Sequence, residues 1–243
     1  MPQIFGKTNR SVPTISSDNS TTQVRLSQYG DIYTMQLMDN HSSLADEGSY
    51  FKALTTPGTG IVGPAQQTFV NTSALLSMAT NATSGKRCYL DYIRLMCTSA
   101  PTAAINVNFA ITVDSIVRGT SAAGTSLASN TINANMDSSR LSALSAINFG
   151  AITFNTTASP KVVFRGIAKT QGTPCILVGD LFSIDFGEHS QAGGLLSGSA
   201  SAAYSISSGP IVFGPNSTLA LHMWCASITV GPTFEVEVGW WER

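Results

Sequence analysis

The hydrophobic and polar positions of this chain alternate over long stretches with a period of two, the period of β-strands. Across residues 104–114, Ile105, Val107, Phe109, Ile111 and Val113 fall on one face, opposite Ala104, Asn106, Asn108, Ala110 and Thr112. Burying five such side chains contributes roughly 1.5–3 kcal/mol each before conformational entropy is subtracted. A slip of one residue in register would turn the whole set to water. Residues 233–241 follow the same rule, with Phe234, Val236, Val238 and Trp240 on one side and Glu235 and Glu237 on the other. Just before them, Leu219, Leu221, Met223 and Cys225 alternate with Ala220, His222, Trp224 and Ala226, and Val230-Gly231-Pro232 supplies turn chemistry between the two runs. The expectation is a closing antiparallel pair whose last strand lies inside a sheet. Residues 86–99 carry bulk on both faces, Cys88, Leu90, Tyr92 and Met96 alternating with Tyr89, Asp91, Ile93, Leu95 and Cys97, as a central strand does.

Weaker strand rhythm appears at 67–78, where 73–78 is also compatible with a helix, at 148–155, at 161–168, at 174–186 with a break at Gly179-Asp180, and at 211–213. Small residues dominate 119–146, in which Asp137 or Ser138 is placed to cap a short helix over 138–146. A second small-residue loop covers 187–209. Residues 1–64 read differently: a polar lead-in, strand-like pieces at 24–29 and 31–38, one helical turn at 42–46, and a loop forced by Pro57-Gly58-Thr59-Gly60. The prediction is an extended N-terminal arm over 1–64, packing on the main domain or on a neighbouring subunit, and one β-domain over 65–243. Short strands separated by turns describe an all-β fold, an antiparallel two-sheet β-sandwich, and roughly eight principal strands point to the jelly-roll type. The absence of a fixed-period repeat argues against a propeller or β-helix.

Composition narrows the range of functions. Only 11% of the 243 residues are charged, against roughly 25% in an ordinary soluble domain, and Ser, Thr, Asn, Ala and Gly take their place. Such a surface suits a subunit covered by neighbours better than a freely diffusing protein. Thirteen basic residues against fourteen acidic ones leave a net charge of −1, and no cluster of Lys or Arg is present to neutralise a phosphate backbone, so no direct nucleic-acid partner is expected. No apolar run is long enough to span a membrane as a helix. The N-terminus lacks the apolar core of a signal peptide, so release by lysis is the expected route out of a cell. The sequons at Asn19, Asn71, Asn81, Asn155 and Asn216 then reflect composition rather than glycosylation. Cys88, Cys97, Cys175 and Cys225 show no metal-ligand spacing and are expected as buried thiols.

Candidate chemistry is sparse. His222 sits within an apolar strand and is expected in a packed, hydrogen-bonded role, while His41 and the group Asp185, Glu188 and His189 read as solvated turns with no further ligands to complete a metal shell. Glu235 and Glu237 share one strand face about 7 Å apart, a spacing compatible with glycoside hydrolysis, but as charges on the polar side of a strand they need no catalytic role. No nucleophile elbow, phosphate-cradling loop or Cys/His pairing is present. No catalytic residue, metal ligand or cofactor is therefore expected, and no enzyme activity. Tyr50, Phe51, Tyr204 and Trp241 remain as candidates for a partner interface.

The neutral Ser/Thr/Ala-rich arm, the segments ADEGSYFK at 45–52 and TPGTGI at 56–61, and the closing FEVEVGWWER together resemble virion structural proteins of tailed bacteriophages, more narrowly the jelly-roll proteins that decorate or reinforce capsids. The resemblance implies a homotrimer or pseudo-symmetric cluster on the capsid exterior, an arm reaching a neighbour, and partners that are other capsid subunits and further copies of the chain. It also implies a virion location after synthesis in the host cytoplasm. Two other classes compete: a receptor-binding module of a tail fibre or spike, using loop aromatics, and the major coat protein of a small icosahedral virus. The last calls for an Arg-rich arm, and Lys7, Arg10 and Arg25 are few for that task.

Overall fold

The computed structural model describes residues 40–118, 120–122, 124–155, 159–169, 175–187 and 203–243. The polar lead-in, the strand-like pieces at 24–29 and 31–38, and Glu188 and His189 lie outside the described residues. In chain order a short helix α1 (Asn40–Asp46) precedes β1 (Tyr50–Leu54), β2 (Ile61–Val62), β3 (Ser73–Thr80), β4 (Cys88–Ser99), β5 (Ile105–Asp114), β6 (Thr120–Ala122) and β7 (Thr125–Ser126). There follow β8 (Thr131–Asn133), β9 (Leu144–Phe154), β10 (Lys161–Lys169), β11 (Leu181–Phe186), β12 (Ala203–Ser208), β13 (Ile211–Phe213), β14 (Thr218–Ala226) and β15 (Thr233–Glu242).

The strands form two sheets. The first has the order β12-β11-β4-β15-β1-β8, with β13 added to β4 and β2 to β15; the second has the order β10-β5-β14-β3-β9-β6, with β7 added to β9. Every described ladder is antiparallel except β11 with β12. The inward faces meet in one core, in which Ile93, Leu95, Phe234, Val236, Val238 and Trp240 oppose Val107, Phe109, Ile111, Leu219, Leu221 and Met223. Phe182 of the first sheet meets Phe109 of the second edge to face, ring centroids 5.6 Å apart. This is an all-β sandwich.

The two most apolar runs, expected as a pair, are not partners. β14 lies between β5 and β3 in the second sheet, whereas β15 lies between β4 and β1 in the first. Residues 227–232 carry the chain from one sheet to the other, with Ser227 at φ 62°. Gly63 N–H donates to the Pro232 carbonyl at 2.8 Å, and a Cβ on Gly231 would overlap the Gly63 carbonyl, so the crossing passes where only glycine fits. β14 is buried on both faces, which demands a partner on each side and a cover outside; a terminal hairpin would supply neither.

Three further expectations shift. The first strand of the body is Ser73–Thr80 and not 67–78. The helix expected over 138–146 is absent: the Ser138 N–H closes a turn on the Asn135 carbonyl, and Leu144 opens β9, where Ala146 pairs with Ala79. Ladder formation by the apolar face of Ile147 and Phe149 overrides the helix propensity of the Ser/Ala run. On β4 the pairing register steps from Trp240–Leu90 to Gly239–Tyr92, leaving Asp91 as a bulge residue. The bulge reverses the alternation, so Tyr92 faces outward although Cys88 and Leu90 face inward. Of the segment assigned to the arm, β1 and β2 are strands of the first sheet, β1 between β15 and β8.

Candidate functional site

Polar side chains converge on the outward face of the first sheet, where β4, β15 and β1 run side by side. Pairing sets Gly239 opposite both Tyr92 and Lys52. The Tyr50 hydroxyl donates to Asp91 Oδ2 at 2.5 Å, and the Tyr92 hydroxyl donates to Glu237 Oε1 at 2.5 Å. Lys52 Nζ lies 3.6 Å from Glu237 Oε1 and Arg94 Nη1 3.8 Å from Glu237 Oε2. The Arg94 guanidinium also stands 4.4 Å from the Tyr92 ring centroid, a cation–π contact. Gly239 makes room for this cluster: a Cβ there would stand 2.5 Å from Tyr92 Cε1 and 2.7 Å from the Tyr50 hydroxyl.

Burial, then the carboxylate each hydroxyl meets, pushes both phenols well above the usual tyrosine pKa. A phenol held neutral serves as a donor and not as a base or nucleophile. With Glu237 held by both cations and each carboxylate accepting from a phenol, the arrangement cross-links three strands. Glu235, the other outward carboxylate of β15, accepts the Gly58 N–H at 2.9 Å and ties down the 55–60 loop. The two glutamates are thus committed to separate partners.

Sequence reasoning passed over Glu242. Its side chain is fully buried and accepts the Ala143 N–H at 2.8 Å, the Ser142 hydroxyl at 2.6 Å and the Trp240 indole N–H at 3.0 Å, with Lys86 Nζ 3.8 Å away. The signal was present: counting by twos from Phe234 through Val236, Val238 and Trp240 lands on Glu242, a carboxylate at an inward position. Such a group is tolerated only when fully hydrogen-bonded.

No protein family, curated protein or solved structure matches this chain. Its candidate residues are therefore judged on geometry alone. Tyr50 and Trp241 are cross-strand neighbours on the outward face of the first sheet. Trp241 stacks on Tyr89 with ring centroids 3.7 Å apart and planes 2° from parallel. Phe51 points the other way into the core, where it stacks on Trp240 at 6.0 Å. Tyr204 lies far off on the edge strand β12, stacked on Phe182 at 5.2 Å.

His222 is buried on the outward face of the second sheet, its Nε2 2.9 Å from Thr112 Oγ1 and its Nδ1 2.7 Å from the Ser73 carbonyl. Burial is the largest influence and lowers its pKa to about 4, against the raising effect of the Ser73 carbonyl. The Phe69 ring covers both His222 and Trp224 edge to face, at 5.2 and 5.5 Å. Asp185 accepts hydrogen bonds from Ser183 and Ser205. All four cysteines are buried. Burial raises Cys88 and Cys97, the latter to about 11, and a hydrogen bond with Cys175 together with burial raises Cys225, so none of these three is activated as a thiolate. Among the described residues no group of three or more His, Cys, Asp or Glu is placed to hold a metal ion.

Proposed function

We propose that this chain is a virion structural protein that binds an assembled capsid shell and stabilises it through protein interfaces, the role of a decoration or minor capsid protein. The observation that carries the reading is a braced loop that presents apolar side chains to solvent. Met136 is 83% exposed and Leu141 85% exposed, yet the loop between β8 and β9 that holds them is not slack. Asn135 Nδ2 donates to the Asp46 carbonyl at 2.8 Å, Asn133 Nδ2 to the Gly48 carbonyl at 2.9 Å, and Arg140 Nη1 to Ser49 Oγ at 2.8 Å. Asparagine side chains also accept the N–H of Asn135 and Asp137, turns that fix the backbone locally. A pre-ordered loop loses little entropy on docking, and the two exposed apolar side chains on it are anchors of the kind that carry binding energy.

The weakly charged surface and the mutually satisfied polar groups of the first sheet support the same reading. A jelly-roll connection of the strands, an N-terminal arm reaching a neighbour, and homo-oligomeric clusters belong to the same proposal. Stabilisation follows from mass action, since a ligand that binds the shell and not its separated subunits shifts the balance towards assembly. The test is co-sedimentation with capsids purified without this protein. Met136→Ser with Leu141→Ser is expected to keep the parental melting temperature and to lose capsid binding by about 2 kcal/mol or more. Undiminished binding by the double variant would overturn the reading.

A further inference from the structure

The two flanks of the sandwich end differently. On one flank the outer strands are β8, β6 and β7, each of two or three residues, too short to template another strand. On the other flank the second sheet ends in β10, nine residues long and paired, among the described residues, on one side only, with β5. The edge of the first sheet runs close by, since a Cβ on Gly166 would come within 3.3 Å of Ile206 Cγ2, yet no ladder joins β10 to β12 among the described residues. Alternate residues of β10 therefore direct backbone N–H and C=O groups away from the sheet. Its side chains are open too: Val162 is 54% exposed, Val163 47% and Ile167 56%.

Charge decides what can cover this edge. The segment 161–169 reads KVVFRGIAK, three cations and no acid. Lys161 and Arg165 take part in no ion pair among the described residues. A second copy of the strand is a poor partner: antiparallel pairing centred on Arg165 sets Arg165 against itself and Lys161 against Lys169, and in-register parallel pairing also sets like on like, both unfavourable. On the outward face the order along the strand is Val162, Arg165, Ile167, which pair with Thr112, Ala110 and Asn108 of β5. The complement of that face is apolar, acidic, apolar.

We propose that β10 is the docking edge for an extended acidic segment of a partner protein, which joins the second sheet as an added antiparallel strand. Backbone hydrogen bonds supply the affinity, a carboxylate opposite Arg165 supplies the selectivity, and apolar side chains cover Val162 and Ile167. The cations have a second effect, keeping two copies of the same edge apart. This surface is distinct from the loop between β8 and β9, so either can fail without the other.

The test uses the full chain and two labelled synthetic peptides, acetyl-TVTETVTV-amide and acetyl-TVTKTVTV-amide, titrated by fluorescence anisotropy, with amide hydrogen exchange as the second readout. The glutamate peptide is expected to bind at least about tenfold more tightly than the lysine peptide and to slow exchange of the 161–169 amides. Lys161→Glu with Arg165→Glu, both exposed positions, is expected to reverse that preference, and Arg165→Gln alone to reduce it. Equal affinity for the two peptides, no binding of either, or protection confined to another strand would overturn the proposal. Protection, in the protein alone, of the β10 amides that point away from β5, or self-association abolished by the double charge reversal, would overturn it equally, since the edge would then be covered already.

Discussion

Replacing Glu242 removes the acceptor on which the end of the sandwich converges. The carboxylate receives the Ala143 N–H, the Ser142 hydroxyl and the Trp240 indole N–H, and Trp240 and Ala143 are themselves buried. Glu242→Ala therefore leaves two donors without partners in a water-excluded place, at about 1–3 kcal/mol each, and also opens a small cavity beside Trp240. The expected loss is about 3–5 kcal/mol. In a chain of this size about 2–4 °C of melting temperature accompanies each kcal/mol, so the transition should fall by about 6–20 °C. Glu242→Gln keeps one acceptor oxygen but sets an amide donor against one of those N–H groups; its cost should be smaller, about 1.5–3 kcal/mol. Lys86 is the control: its ammonium is partly exposed and 3.8 Å from the carboxylate, so Lys86→Met should cost no more than about 1 kcal/mol. Urea denaturation of the three variants, followed by tryptophan fluorescence and circular dichroism, measures the series. An alanine variant within about 1 kcal/mol of the parent would refute the clasp.

Two other expectations concern the opposite faces of the sandwich. Gly239→Ala places a methyl group 2.5 Å from Tyr92 and 2.7 Å from the Tyr50 hydroxyl, and should cost about 1–3 kcal/mol by overpacking; Tyr50→Phe in the same chain should recover part of that loss, and strict additivity in the double-mutant cycle would show that the two positions do not touch. His222 has a folded pKa of about 4 against 6.5 in the unfolded chain, so below pH 6.5 the unfolded state binds the proton first and stability falls as pH falls, by about 3 kcal/mol in total by pH 4, and levels off beneath it. Denaturation midpoints between pH 7 and pH 4 measure this contribution, and a pH profile unchanged by His222→Gln would remove His222 as its source.

Much of the β-structure is legible from alternation, because the direction a side chain takes from a strand is a local property repeating every two residues. The outlines of β4, β5, β10, β13 and β15 follow from it, as does the inward set Phe234, Val236, Val238 and Trp240. The same count carried two residues further reaches Glu242, so the buried carboxylate was legible in position though not in partner. The Tyr50–Asp91 and Tyr92–Glu237 bonds were not legible: their members are 41 and 145 residues apart, and a bulge at Asp91 decides which face Tyr92 takes.

By itself, then, the sequence determined that this chain forms strands and which side of most of them is apolar, since period-two patterning acts within a few residues and a one-residue slip is heavily penalised. Only the tertiary structure decided that β14 and β15 enter opposite sheets, that the strand expected from residue 148 begins already at Leu144, and that β10 is left as the long open edge among the described residues. Several apolar strands of similar length are nearly equivalent partners for one another when taken singly. The choice among them is made by the simultaneous packing of both sheets over one core, and that choice is non-local.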